Sequence, residues 1–300
     1  MGRIVAIVNQ KGGVGKTTTA VNLAAGLAIA ERPILLVDAD PQSNTTRALG
    51  FAADSERPSL YEALVGHRTL SDVTLACPDI PHLSLIPADP DLVGAEVELV
   101  DVDDREFRMR DLLVPMRGNF DFTFIDCPPS LSLLTLNALV AADTVLVPVQ
   151  CEYLALEGIS SLIGTVERIR DSLNPSLAIG GVLMTMYDDR TNLAKQVVDE
   201  VRSVFGARVF QTLIPRNVRL GEAPSYGKPI FLYDVRSKGA EAYFQLAKEF
   251  LDHEAKGLGQ RTEQSDSRGA GPAIDASAPV PAAPAPAPGP AAAPPAADPD

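Results

Sequence analysis

Between Val8 and Thr19 the chain reads Asn9-Gln10-Lys11-Gly12-Gly13-Val14-Gly15-Lys16-Thr17-Thr18. An apolar strand pattern precedes this run and a helical pattern follows it, the setting a phosphate-binding loop needs. The glycines let successive backbone N–H groups turn inward onto phosphate oxygens, and a helix N-terminus favours negative charge there. Lys16 can neutralise the β- and γ-phosphates of a nucleotide, and the Thr17 hydroxyl is placed to ligate magnesium.

Two further acidic sites end apolar runs. Leu36-Val37-Asp38-Ala39-Asp40-Pro41-Gln42-Ser43-Asn44 delivers two carboxylates past a strand, where open α/β sheets bind ligands. Pro41 ends that strand, and Gln42, Ser43 and Asn44 suit a polar loop. Phe122-Thr123-Phe124-Ile125-Asp126-Cys127-Pro128-Pro129 delivers a single acid in the same way. Asp126 is placed to hold magnesium through water beside Thr17. Cys127 has no basic neighbour in sequence and reads as a space-filling thiol.

The third candidate region is basic. From Arg216 to Lys238 the chain carries Arg216, Arg219, Lys228, Arg236 and Lys238 against Glu222 and Asp234. Charge counting alone leaves two readings open, a solvated surface and a phosphate-binding patch. Arg190, in Tyr187-Asp188-Asp189-Arg190-Thr191-Asn192, is a further candidate.

The elements that must position these residues alternate along the chain. Strands are predicted at Ile4–Val8, Ile34–Val37, Leu83–Ile86, Phe120–Ile125, Thr144–Val149, Ile179–Met184 and Arg208–Ile214. Helices are predicted at Thr17–Ala30, Glu106–Val114, Leu131–Ala141, Leu156–Leu173 and Leu193–Phe205. Several strands are apolar with few interruptions, as strands covered on both faces are. The expected fold is α/β: a doubly wound, mostly parallel sheet flanked by helices. One domain is expected over residues 1–255, followed by a Pro/Ala-rich disordered tail over residues 256–300.

Bulk properties exclude several classes. The net charge of −13 opposes binding to anionic membranes and requires any DNA contact to come from a local basic patch. Cys77, Cys127 and Cys151 are widely spaced and form no C-x-x-C pair, which argues against a disulfide framework or a structural zinc. His67, His82 and His253 are isolated from one another. No run reaches the roughly 18 apolar residues of a membrane span, and the strand pattern beginning at Ile4 leaves no room for a signal peptide. A cytoplasmic location is expected.

The motifs together resemble the ParA/Soj family. Gln10 stands where the usual loop has its first glycine, and Lys11 adds a second lysine, so residues 11–18 are similar to the deviant Walker A of the ParA/MinD class. The resemblance implies that Lys11 reaches the phosphates held by a second subunit, so that ATP joins two copies face to face. Asp38-Ala39-Asp40-Pro41-Gln42 resembles the family's switch I, which implies that Asp40 positions or activates the attacking water and Asp38 supports the magnesium shell. Asp126-Cys127-Pro128-Pro129 resembles switch II. Ile214-Pro215-Arg216-Asn217 through Pro229 resembles the segment in which Pro215 and Asn217 would lie against adenine. Gly221 stands where Soj-like sequences commonly carry Ser, which removes any hydroxyl contact there. By the same resemblance Arg190 and Arg219 would touch DNA phosphates. The likeness runs from Met1 to about Phe250 and includes Gln150-Cys151-Glu152-Tyr153 and Ala155-Leu156-Glu157-Gly158.

What the resemblance implies is a magnesium-dependent partitioning ATPase using ATP and Mg2+. Its partners would be nonspecific double-stranded DNA, a ParB-like activating protein and a second copy of itself in an ATP-dependent homodimer on the nucleoid. An otherwise equivalent ATPase could position a protein cargo such as a chemoreceptor array, a flagellar pole or a microcompartment. A MinD-like membrane ATPase would need a basic amphipathic C-terminal helix, whereas this sequence ends in Pro, Ala and Asp. A nitrogenase-type iron protein would need cluster cysteines that Cys127 and Cys151 do not resemble.

Overall fold

The computed structural model describes residues 2–54, 56–153 and 155–257. Of the expected tail over residues 256–300, residues 258–300 lie outside them. Alternation along the strands feeds two apolar layers. Ile4, Ala6 and Val8 enter one and Val5 and Ile7 the other; Ile125 and Phe124 divide in the same way. A strand apolar on both faces is stable only when covered on both sides, and this sheet is.

In chain order the elements are β1 Arg3–Ile7, α1 Lys16–Ile29, β2 Ile34–Asp38, α2 Asn44–Ala48, α3 Leu60–Leu64, α4 Leu70–Val73 and β3 Leu75–Ala76. There follow β4 Leu83–Ile86, α5 Leu92–Glu98, α6 Arg108–Leu113, β5 Phe122–Asp126, α7 Leu133–Ala141 and β6 Thr144–Gln150. The last are α8 Ala155–Ser172, β7 Ala178–Thr185, α9 Asn192–Phe205, α10 Val218–Glu222, α11 Ile230–Tyr233 and α12 Lys238–Ala255. The sheet runs β3-β4-β2-β5-β1-β6-β7, with β3 antiparallel to β4 and all other pairs parallel. This is the doubly wound arrangement expected. The central strands β2, β5 and β1 carry the acids and the glycine loop at their C-terminal ends. Asp38 is paired in register with Asp126, and Ile7 with Asp126 on its other side.

One predicted strand is not a strand. Residues 208–214 follow β7 with isolated bridges only, Val182 to Val209 and Tyr187 to Pro215. Phe210 N donates to Val182 O and Ile214 N to Met184 O, but no continuous ladder links them. There the amides of Gln211 and Thr212 donate to the two carboxylate oxygens of Glu249, at 2.6 and 2.9 Å. A side chain of α12 has taken the place of a ladder partner. Residues 106–114 also differ from expectation, since α6 is flanked by 3₁₀ turns at Arg105–Phe107 and Val114–Met116.

α12, 18 residues long, packs on α1. Gly26 permits the approach, because a Cβ there would meet Ala247 and the Phe231 ring at 3.3 Å. The buried Tyr243 hydroxyl shares a hydrogen bond with Thr19 Oγ1 at 3.2 Å, which ties α12 to the first turns of α1.

Candidate functional site

β1 runs into the glycine loop, and α1 begins at Lys16 without a side-chain cap on its N-terminal amides. Gly13 (φ 75°) and Gly15 (φ 91°) adopt the left-handed region, which turns the backbone N–H groups inward at little steric cost. A Cβ at Gly12 or Gly13 would meet nothing within 4 Å, so space for a ligand lies above the loop. The loop is fixed from both sides. Asn9 Oδ1 accepts from Lys11 N at 2.9 Å while its Nδ2 donates to Pro148 O, and Thr185 Oγ1 donates to Val14 O at 2.8 Å.

Lys16 is buried, and its ammonium donates to Lys11 O at 3.1 Å. Burial lowers its pKa from the ordinary lysine value, an effect that the Asp126 charge opposes. Lys11 is half-exposed and pairs with Glu152, in the turn between β6 and α8. Thr18 sits in the first turn of α1, and its carbonyl accepts from Asn22 Nδ2.

Asp126 is fully buried. Its Oδ2 accepts from Thr17 Oγ1 and from Thr45 Oγ1, each at 2.7 Å, while its buried Oδ1 has no partner among the described residues. Asp38, also fully buried, accepts from Thr46 N (2.8 Å) and Thr46 Oγ1 (2.7 Å) through Oδ2, and from Asp40 N through Oδ1. Burial, with the neighbouring Asp126 charge, raises Asp38 to about 7. Burial raises Asp126 to about 6 against the pull of the two threonine hydroxyls. Asp40 Oδ1 accepts from Gln42 N at 2.9 Å, and Ser43 takes positive φ at the turn into α2. Burial pushes the Cys127 thiol far above its usual range, so it is no thiolate.

The glycine loop, Lys16, Thr17, Asp38, Asp40 and Asp126 therefore converge at the C-terminal ends of β1, β2 and β5. Pro215 and Asn217 lie on the same edge of the sheet, beyond β7, held by Tyr187 N to Ile214 O and Arg216 N to Tyr187 O. Asn217 caps α10 by accepting from Arg219 N at 2.8 Å. Neither lines the cavity of about 700 Å³ beside Thr17, which is bordered by Asn44, Arg47, Phe51, Pro224 and Tyr226. Arg190 and Arg219 are exposed, and each is already paired. Arg190 forms a bidentate contact with Asp188 at 2.7–2.8 Å, and Arg219 meets Glu222 at 2.9 Å and Asp234 at 3.5 Å.

Sequence reasoning missed Thr45, Thr46, Thr185 and Glu152. The two α2 threonines had one available signal, since two β-branched hydroxyls adjoining an acidic turn can back-bond to its carboxylates. Glu152 is brought to the loop by the parallel pairing of β1 and β6, and Thr185 by that of β6 and β7.

These residues fit a nucleotide with magnesium. The loop offers uncapped amides and open space, Lys16 supplies a buried cation, and Asp126 Oδ1 is a buried acceptor without a donor. Among the described residues no cluster of three or more His, Cys, Asp or Glu could hold a metal by itself, and no helix is long and apolar enough to cross a membrane.

Comparisons with known proteins agree with this geometry. The sequence profile of a family described as "AAA domain" matches residues 2–179. The chromosome partitioning protein ParA of Myxococcus xanthus is 56% identical over 251 residues, covering 84% of this chain and 88% of that protein. The sporulation initiation inhibitor protein Soj of Bacillus subtilis is 54% identical over 249 residues, covering 83% and 98%. Among solved structures, cobyrinic acid a,c-diamide synthase from Mycobacterium smegmatis with bound ADP and magnesium superposes with a TM-score of 0.75. Its identity is 37%, over 87% of this chain and 99% of that one. The cell division ATPase MinD from Pyrococcus furiosus gives a TM-score of 0.70 at 26% identity, over 84% and 99%. Identity of this order over nearly the whole of its relatives, on a sheet that brings loop and carboxylates together, makes the chain a member of the ParA/Soj family of chromosome-partitioning P-loop ATPases.

Proposed function

We propose that this chain is a magnesium-dependent ATPase that partitions a chromosome or plasmid. ATP binding joins two copies into a sandwich dimer that coats nonspecific DNA in the cytoplasm, on the nucleoid. A ParB-like partner stimulates hydrolysis and releases the dimer. The observation that carries the reading is the convergence on Asp126, where the hydroxyls of Thr17 and Thr45 occupy one oxygen and the other, buried, has no partner among the described residues.

In this reading the loop amides of Gly12, Gly13, Val14 and Gly15 and the α1 N-terminus, with Lys16, Thr17 and Thr18, hold the phosphates. Thr17 and Asp126 would hold magnesium, which when bound would neutralise charge on the phosphate oxygens. Asp38 fixes the turn that carries Asp40, through the Asp40 amide and Thr46, and so supports the metal shell from behind. Asp40 orients the attacking water and accepts its proton. Lys16 meets the charge that develops on the γ-phosphate, and Lys11 does the same for the nucleotide of the other subunit after leaving Glu152. Pro215 and Asn217 border the base.

Arg190 and Arg219 supply the DNA contacts. Because both are paired with carboxylates in the single chain, their attraction for phosphate is weak in one copy and adds up in two. The deciding experiment measures binding to a random-sequence duplex with ATP, with ADP and without nucleotide, comparing wild type with Arg219→Glu. Binding only with ATP, lost in the variant and weakened by salt, is expected. Equal binding in all nucleotide states would remove the ATP gate, and no binding at all would turn the assignment toward a protein cargo.

A further inference from the structure

The turn that leads from Asp40 into α2 holds a backbone conformation that its residue does not favour. Ser43 takes φ 52° and ψ 33°, the left-handed region, where a Cβ crowds the following carbonyl. Glycine would occupy that region without the clash. The Ser43 hydroxyl does little to hold the turn, since it donates to Pro41 O at 3.3 Å, long for a bond between oxygens.

One side chain grips the turn on both sides of Ser43. Arg47 Nη2 donates to Gln42 O at 2.6 Å and to Asn44 Oδ1 at 2.9 Å. A single guanidinium nitrogen therefore bridges the residue before Ser43 and the residue after it. Gln42 donates its own amide to Asp40 Oδ1 at 2.9 Å. The bonds run from Arg47 through the Gln42 backbone to the Asp40 carboxylate.

The helix behind Arg47 is anchored independently of that grip. Thr45 Oγ1 donates to Asp126, and Thr46 donates to Asp38 from both its amide and its hydroxyl. Just past α2, a Cβ on Gly50 would meet Gly227 O at 3.0 Å, so the two backbones are in contact there. Arg47 thus reaches back from a fixed element onto the turn. Its guanidinium forms no ion pair among the described residues, whereas Arg190 is held by Asp188 and Arg219 by Glu222 and Asp234. No acid borders the cavity that Arg47 shares with Thr17. Its charge is left to strengthen the bonds to Gln42 and Asn44, and charged donors make stronger hydrogen bonds than neutral ones.

We propose that Arg47 is a positioning residue for hydrolysis: its two bonds keep Ser43 in the left-handed turn and so fix the Asp40 carboxylate against the Gln42 amide. The role in turnover rests on the ATPase reading above; the clamp on the turn does not.

The test compares the full chain with Arg47→Ala and with the double variant Arg47→Ala/Ser43→Gly. Alanine preserves the helix propensity of position 47, and glycine at position 43 takes the left-handed turn without a clamp. Two quantities are read: kcat and KM for ATP with magnesium, and hydrogen exchange of the amides of residues 42–46 in nucleotide-free protein. Arg47→Ala is expected to lower kcat about tenfold with KM little changed, and to speed exchange in that segment about tenfold. The double variant is expected to recover most of both losses, a rescue that a general loss of stability would not give. Wild-type kcat in Arg47→Ala overturns the proposal whatever the exchange rates. So does a rise in KM that Ser43→Gly leaves in place, because Arg47 would then contact the nucleotide itself. Absent turnover in the wild type would sink the ATPase reading and with it any role for Arg47 in turnover; faster exchange in Arg47→Ala would then leave the clamp standing, and equal exchange would remove it.

Discussion

Thr45 Oγ1 lies 2.7 Å from Asp126 Oδ2, so the first turn of α2 is bonded directly to the acid at the end of β5. Thr45 is fully buried, so its hydroxyl has no water to replace that partner. The bond joins α2, the helix that follows the Asp40 turn, to the buried acid at the end of β5. Thr45→Val, which keeps the shape and removes the donor, is expected to raise the magnesium concentration needed for half-maximal turnover several-fold. Its stability loss, read by urea denaturation without magnesium or nucleotide, is about 1–3 kcal/mol. Thr45→Ser is expected to recover the magnesium response, and an unaltered response in the Val variant would remove Thr45 from the site.

In the proposed mechanism Lys16 serves nucleotide binding and Asp40 serves hydrolysis. Lys16→Ala removes the buried cation at the loop and is expected to abolish binding of a fluorescent ATP analogue. Asp40→Ala is expected to bind ATP normally, fail to turn it over and accumulate as an ATP-bound, DNA-bound dimer. Wild-type turnover in the second variant would exclude Asp40 from the reaction.

The buried acids predict a pH dependence. Asp38 is raised to about 7 and Asp126 to about 6, from an ordinary aspartate value of 3.8. Between the unfolded and folded values the native state holds more protons than the unfolded one, so stability falls as pH rises through that window. The nucleotide-free protein is expected to show a lower urea midpoint at pH 8 than at pH 5.5. Asp38→Asn is expected to flatten that fall, because an amide carries no charge to bury. A fall of the same size in the variant would place its origin elsewhere.

The Lys11–Glu152 pair sets a choice between partners. In the single chain the Lys11 ammonium is held by Glu152, so in the proposed dimer it must leave that carboxylate. Glu152→Gln is expected to increase the ATP-dependent dimer fraction in sedimentation and to leave nucleotide-free protein monomeric. A decrease would mean that Glu152 itself helps the assembled state.

Gly181 is a packing constraint. A Cβ there would lie 2.3 Å from Phe210 Cε2, and the Phe210 ring is stacked on His253 at 4.6 Å and cannot retreat. Gly181→Ala is expected to cost about 1–3 kcal/mol in urea denaturation with little change in ATP affinity. A neutral result would show that α12 yields.

The elements nearest the chemistry were the most legible in sequence. β1, β2 and β5 announce themselves because each is a short apolar run ending in a glycine loop or an acid. What escaped depends on distant partners. Residues 208–214 carry Val209, Phe210 and Ile214 at strand-like intervals, yet their middle amides bond to Glu249, which no local pattern reveals. Helix α12 is absent from the expected elements although Ala240, Tyr243, Leu246, Ala247 and Phe250 recur at helical spacing along one face. The loop after Asp40 reads as polar because Thr45 and Thr46 look like surface hydroxyls until Asp126 and Asp38 are seen behind them. The basic count over 216–238 left out that Glu222 and Asp234 fold back onto Arg219.

The arrangement at the two margins of the sheet has a consequence for assembly. On one side β3 contributes only two residues, and on the other the chain past β7 makes isolated bridges and turns the Gln211 and Thr212 amides onto Glu249. Neither margin offers the long row of free amides and carbonyls that a foreign strand would copy. Copies of this protein therefore have little means of adhering through their backbones as they crowd together. In the proposed dimer, assembly is left to side chains and ligands, contacts that can be made and undone each time a nucleotide is spent.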